Sequence, residues 1–215
     1  MTLPEVIPVF PLPNVVLFPR MALPLHIFEP RYRAMVRDAL QGPRLIGMVL
    51  LRGDWRGDYE GRPPIFPIGT VGQIVHVDEL PDGRFDIVLR GLESFVVERE
   101  VTPSRSYREA HVRWRADVAD PLPSGQRETV LTLVHRYLDR LGRKSATPPV
   151  LDRTVDDETV VNFFAQHLDL DPLERQALLE EPTASSRAQR LVDVLEFRLE
   201  ELTRAAPGSH QGRAH

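Results

Sequence analysis

Few residues in this chain could carry covalent or acid–base chemistry, and none sits in a catalytic motif. There is no cysteine. That removes thiol nucleophiles, disulfides, iron–sulfur clusters and thiolate zinc sites, and it fits a reducing compartment. Of the 27 basic residues only Lys144 is a lysine, so it alone could form a Schiff base or a Ser–Lys dyad. Ser145 follows it directly, but neighbours on a loop do not make a dyad. No G-x-S-x-G elbow occurs, nor any G-x-x-x-x-G-K-[ST] or G-x-G-x-x-G phosphate loop. P-loop nucleotide hydrolysis is excluded.

Metal ligation fares no better. The seven histidines are His26, His76, His111, His135, His167, His210 and His215, with no H-E-x-x-H among them. His76 and Asp78 alternate on one strand face, which reads as the polar outer side of a strand whose Val75 and Val77 point inward. The acidic runs Asp156-Asp157-Glu158, Glu180-Glu181 and Glu200-Glu201 fall at helix ends or on helix faces, where first-turn acids suit the helix dipole. We expect no metal, no cofactor and no enzymatic activity.

Binding chemistry remains. The 31 acidic and 27 basic residues give a net charge of −4, with no general pull toward nucleic acid or an anionic membrane. Arg31, Arg33 and Arg37 lie near one another on a predicted helix, and Arg113 and Arg115 would share a strand face. Phe28, Tyr32, Trp55, Tyr59 and Phe66 gather around that helix and a following loop. Aromatics beside arginine are what protein-binding sites are made of, although such rings serve equally well as core.

These residues must be positioned by strands first and helices second. Seven of the 20 prolines fall in the first 30 residues, and proline suits edge strands and turns. The opening therefore reads as bent, extended chain closing the rim of a sheet. Pro30 opens a helix with an apolar stripe at Tyr32, Met35, Val36, Ala39 and Leu40, stopped by Gly42-Pro43. Residues 45–51 form a continuous apolar run, a buried strand. Residues 52–67 are loop, with Trp55 and Tyr59 half exposed. Strands follow over 68–80 and 84–90, joined by a Pro81-Asp82-Gly83 turn. Gly91 punctuates before a strand over 95–101. A last strand alternates Ala110, Val112, Trp114 and Ala116 inward.

A boundary falls at 117–123, and helices follow. Ser124 is the expected cap of a helix with Val130, Leu131, Val134, Leu138 and Leu141 on one stripe. Asp156 or Asp157 caps the next, Asp171-Pro172 starts a third and Thr183 a fourth. Segregated strands and helices mean an α+β protein, divided as a β domain over 1–120, a helical domain over 121–204 and a disordered tail over 205–215. The start lacks a signal-peptide pattern and no run of ~18 apolar residues occurs, so we expect a cytoplasmic location.

Several blocks resemble the Lon protease N-terminal domain family. Ile7-Pro8-Val9-Phe10-Pro11-Leu12-Pro13-Asn14-Val15-Val16-Leu17-Phe18-Pro19 is similar to its opening, P-x-[LF]-P-L-x-x-x-V-[LV]-[FY]-P. Met21 to Tyr32 matches the continuation into the first helix. Pro67-Ile68-Gly69-Thr70-Val71-Gly72 resembles [VI]-G-T-[VI]-[GA], and Leu80-Pro81-Asp82-Gly83 the L-P-D-G turn. Beyond it, Glu93 stands where many members carry Arg. Gln176-Ala177-Leu178-Leu179-Glu180 is similar to the helical part. The resemblance implies a PUA-like β-barrel followed by a C-terminal helical bundle. It implies a substrate-recognition module, here stand-alone, without the ATPase and peptidase that follow it in Lon. It would bind unfolded or damaged polypeptide or a protein partner, in association with a protease. A PUA-like RNA-binding module is the alternative, and a small-molecule sensor resembling cereblon a third. The expected partner-binding residues are Phe28, Arg31, Tyr32, Trp55 and Tyr59.

Overall fold

The computed structural model describes residues 3–59, 61–115, 120–142 and 154–205. Six strands come first: β1 (Val6–Leu12), β2 (Ala22–Ile27), β3 (Leu45–Leu50), β4 (Ile68–Glu79), β5 (Phe85–Glu100) and β6 (Arg108–Trp114). Helix α1 (Pro30–Leu40) lies between β2 and β3. Then come α2 (Gln126–Arg140), α3 (Asp157–His167), α4 (Pro172–Glu180) and α5 (Ala184–Ala205). The α+β composition is the expected one. The chain divides into two compact units, one of residues 1–117 with 165–180, the other of 118–164 with 181–215.

In the first unit the strand order is β2-β5-β4-β3-β1-β6, and β5 also pairs with β6. The pairings β5–β4–β3–β1–β6–β5 therefore return to their start, and β2 is added to one end of β5. Only β1 and β3 run parallel; the other pairs are antiparallel. Each strand of the cycle supplies apolar side chains to one cluster of Ile7, Val9, Leu45, Val49, Val71, Phe95, Ala110 and Val112. All six residues of β3 are buried, as its unbroken apolar run requires of a strand flanked on both edges.

Two sequence expectations change here. Gly91 does not end a strand: β5 runs through it for 16 residues. Its role is close approach, since a Cβ there would lie 2.2 Å from the Phe18 carbonyl oxygen, and only glycine lets the 18–21 segment bond to β5 at that point. Val75 points outward, 52 % exposed, because a register shift between Ile74 and His76 breaks the alternation of β4.

The helix α4 and the chain from residue 165 before it belong to the sheet's compact unit, whereas the sequence division assigns all of 121–204 to the helical part. Polar bonds explain the placement. Gln166 Nε2 donates to the Ala22 carbonyl at 2.8 Å while its Oε1 accepts from the Phe18 amide at 3.1 Å. Gln176 Nε2 donates to the Ile68 carbonyl at 3.0 Å. Arg115 donates to the carbonyls of Leu179 and Glu180 at 3.1 and 2.9 Å. Those are last-turn carbonyls of α4, which have no partner within the helix.

The second unit holds α2, most of α3 and α5. Val130, Leu133, Val134 and Tyr137 of α2 are buried, a stripe rotated slightly from the expected one. Its N-cap is Gly125, with φ 83°, rather than Ser124. Asp156 caps α3 by accepting the Thr159 amide at 3.0 Å. Thr183 and Ser186 exchange side-chain and amide bonds at the start of α5, as its Thr start predicts. Lys144, Ser145, Ala116, His210 and His215 lie outside the described residues, as do most of the expected 205–215 tail and part of the 117–123 boundary.

Candidate functional site

The expected site residues separate into three groups. Tyr32 is core: it is 4 % exposed, its ring 4.2 Å from that of Phe10, on the inward stripe of α1. Burial raises its phenol far above the ordinary tyrosine value. The expectation of a surface ring at this position is corrected, because the helix period that made the stripe legible also turns Tyr32 inward.

Arg31, Tyr59 and Trp55 form a surface cluster. Pro30 fixes the start of α1 behind the extended Glu29, so Glu29 and Arg31 project from the helix's first turn. Arg31 Nε donates to Glu29 Oε2 at 3.0 Å, and its Nη1 to the Tyr59 carbonyl at 3.2 Å. Its guanidinium lies 4.6 Å from the Tyr32 ring centroid and 5.0 Å from that of Tyr59, a cation between two π-faces. Tyr59 donates its hydroxyl to Glu29 Oε1 at 2.9 Å. Burial and that bond raise its phenol, which keeps it a donor. Trp55 meets Tyr59 edge-on at 5.8 Å, and both rings are half-buried, as the loop reading expects.

Phe28 stands apart, 60 % exposed and stacked on His26 at 6.3 Å. His26 itself lies between Asp86, at 2.6 Å, and Arg84, at 3.1 Å. Phe66 is half-buried, with Arg52 5.9 Å from its ring centroid. Phe28 directly follows β2, which is the terminal strand of the order. Its six residues are all paired to β5, more fully than its prolines suggested, but on one side only. The Gly91 amide donates to the Met21 carbonyl at 2.8 Å. Counting on in twos, Leu23, Leu25 and Ile27 bond inward to β5 and Pro24 and His26 face the outer edge. Gln166 occupies the Ala22 carbonyl there. The outer edge keeps the Pro24 carbonyl and both backbone groups of His26.

Sequence reasoning missed a cleft beside this cluster. Arg31 and Tyr32 form one wall and Arg62 another, with Arg105, Tyr107 and Arg108 on the connection into β6 forming the third. Glu100 binds Arg62 and Arg108 together. Burial raises the Glu100 carboxyl, but the bonds from Arg108 and Arg62 outweigh it and hold the carboxyl below its ordinary value. Asp38 likewise accepts from Arg105 and from the Tyr107 hydroxyl, the latter at 2.7 Å. The arginines of this stretch are visible in the sequence; their convergence depends on the β5–β6 pairing.

Arg113 and Arg115, which would have formed a basic strand face, do not act together. Arg113 faces Glu98 at 3.4 Å, and Arg115 is engaged with the end of α4. Among the described residues no three His, Asp or Glu side chains gather to hold a metal. No described helix is long and apolar enough to cross a membrane.

Residues 6–196 match the family model of the ATP-dependent protease La (LON) substrate-binding domain. The chain belongs to this family. It is 24 % identical over 198 residues to the Lon protease of Cytophaga hutchinsonii, covering 90 % of this chain and 24 % of that protein. It thus spans about a quarter of the length of the curated relatives it matches. The crystal structure of a Lon N-terminal domain protein from Xanthomonas campestris aligns with a TM-score of 0.64 at 25 % identity, covering 87 % of this chain and 97 % of that one. The N-terminal domain of Mycobacterium avium complex Lon protease aligns at 0.67 with 16 % identity, covering 89 % and 98 %; it shares the fold. The match is to the Lon substrate-binding domain, a non-catalytic domain, and not to the peptidase or ATPase domain. Family membership supports a substrate-recognition role.

Proposed function

We propose that this protein is a non-catalytic, cytoplasmic recognition module that holds unfolded polypeptide or a protein partner and serves a protease. The observation that carries the reading is the family match across residues 6–196 to a substrate-binding domain. In the same reading, the closed cycle of five strands is a PUA-like barrel and the helices after it a C-terminal bundle. The geometry supports a surface rather than a reaction centre. Trp55 and Tyr59 form an aromatic lip held by Arg31 and Glu29. Exposed Phe28, stacked on His26, stands apart from the lip at the end of β2, beside that strand's half-open edge. Extended polypeptide uses such a combination of backbone edge and apolar pockets.

The test uses the whole chain and labelled β-casein as an unfolded probe, read by fluorescence anisotropy. Binding in the micromolar range, about −8 kcal/mol, is expected, with a native globular protein of similar size failing to bind. Trp55→Ala should weaken the complex ~30-fold, the effect of losing an aromatic anchor of about 2 kcal/mol. No binding at concentrations ~100-fold above micromolar overturns the reading. So does ATP hydrolysis or casein cleavage that a point substitution in this chain abolishes.

A further inference from the structure

The cleft beside the aromatic lip has a wall chemistry of its own. It encloses about 200 Å³, small for a cofactor site. At about 30 Å³ per water it has room for one compact group and a side chain. Four of its lining residues are arginines and none is acidic. The carboxylates that pair with those arginines, Glu29, Asp38, Glu100 and Glu109, stand outside the lining. The guanidiniums are therefore held by carboxylates outside the lining, and Arg62 and Arg105 keep their side chains partly open to solvent.

Two of them have donors to spare. Arg62 uses Nε and Nη2 on Glu100 and the Val101 carbonyl, which leaves Nη1. Arg105 uses Nη1 on Asp38 and lies with Nε 3.5 Å from Glu109, which leaves Nη2. Arg108 has a partner at each guanidinium nitrogen, with Nε and Nη2 on Glu100 and Nη1 on the Pro63 carbonyl. Unspent guanidinium N–H groups on two walls of one cavity are a receptor for an anionic oxygen pair. The four arginines and four carboxylates balance, so recognition there rests on the unspent N–H donors and not on net charge. Two donors match the two oxygens of one carboxylate, and the Tyr32 and Tyr107 rings in the lining favour an apolar group attached to it.

We propose that this cleft takes a carboxylate of the bound polypeptide, with Arg62 Nη1 and Arg105 Nη2 donating to its oxygens. The proposal rests on the polypeptide-binding reading and adds its charge preference. Two sources supply that chemistry, a C-terminal carboxylate and an Asp or Glu side chain.

Titration calorimetry on the whole chain separates the outcomes. Three forms of one apolar, aromatic-containing peptide of about eight residues are compared: free C-terminal acid, C-terminal amide, and the amide with one internal Glu. A charge-assisted bond is worth about 1.5 kcal/mol or more, so the favoured acid should bind at least ~10-fold tighter than the plain amide. The advantage should shrink in 1 M salt, where the Debye length is about 3 Å. Gain by the free acid assigns the C-terminus, and gain by the Glu peptide assigns a side chain. Arg62→Gln and Arg105→Gln should each remove the advantage. Equal binding of all three peptides overturns this inference and leaves the polypeptide-binding reading standing. Binding of none overturns both. The wild-type comparison needs no variant, so it stands even if one of the substitutions impairs folding.

Discussion

Tyr32 and Tyr59 are 27 residues apart in sequence, share the cation of Arg31, and should respond unequally to truncation. Removing the buried Tyr32 ring leaves a cavity against Phe10, and large aromatic-to-alanine changes in cores cost about 3–5 kcal/mol. Tyr32→Ala should therefore lower the urea midpoint severely, whereas Tyr59→Ala, at a half-buried position, should cost about 1 kcal/mol. Equal losses in equilibrium unfolding would mean that the two rings are equally structural. Glu100 gives a pH prediction. Its carboxyl titrates lower in the folded chain than when unfolded, so the stabilisation is present above the ordinary value of 4.5 and is lost as pH falls through the folded value. Glu100→Gln should cost about 2 kcal/mol at neutral pH, less than for a fully buried pair because Glu100 is partly exposed. The variant should also show a flatter fall in Tm below about pH 4.5; an acid limb identical to wild type would contradict the assignment. The residue types of this region were legible in the sequence, their exposure only partly. The period of α1 marks Tyr32 as inward, while its position beside Arg31 and near Phe28 in sequence suggests a surface ring.

Elements were more legible than their partners. The apolar run of β3, the alternation of Phe85, Ile87 and Leu89, the Asp82-Gly83 turn and the Asp156 and Thr183 caps all follow from local chemistry, and all appear. The role of Gly91 is not legible, because a glycine that ends a strand and one that admits a crossing backbone look alike in sequence. They differ in consequence. Gly91→Val would drive its Cβ into the Phe18 carbonyl and should cost about 1–3 kcal/mol by overpacking. A punctuating glycine would tolerate the change, so a wild-type melting curve for this variant counts against close approach. The docking of α4 was equally illegible. Its amphipathic pattern says that one face is buried but not against what, and the decisive bonds from Gln166, Gln176 and Arg115 span 64 to 148 residues. Gln166→Ala should release the Phe18 amide, seen as faster hydrogen exchange at that amide with little change at Phe95 in the cycle's core.

At the scale of the whole molecule, the sheet unit is discontinuous in sequence. Residues 1–117 supply every strand among the described residues, yet residues 165–180 belong to the same compact unit, and they return to it after a long excursion through the other. A fragment of residues 1–120 keeps the cycle β5–β4–β3–β1–β6 and its apolar cluster, so it should retain β-sheet circular dichroism. It loses the acceptor and donor of Gln166 at Phe18 and Ala22, and the donor of Gln176 at Ile68. It also leaves Arg115 without the carbonyls of Leu179 and Glu180. Each lost bond is worth about 1 kcal/mol, and somewhat more where the donor is charged. The buried side chains of Leu178 and Leu179 add about 2 kcal/mol each in the packing they cover. The sum is a large share of the stability of a domain of this size, about 5–15 kcal/mol, so the fragment should unfold at a distinctly lower urea concentration than the full chain. A synthetic peptide of residues 165–180, added at about 100 times its dissociation constant, should restore about 2.7 kcal/mol of that loss by binding only the folded fragment. A peptide carrying Gln166→Ala and Gln176→Ala should restore less. If the fragment of residues 1–120 is as stable as the full chain and ignores the peptide, then 165–180 lies on the sheet unit without contributing to its stability.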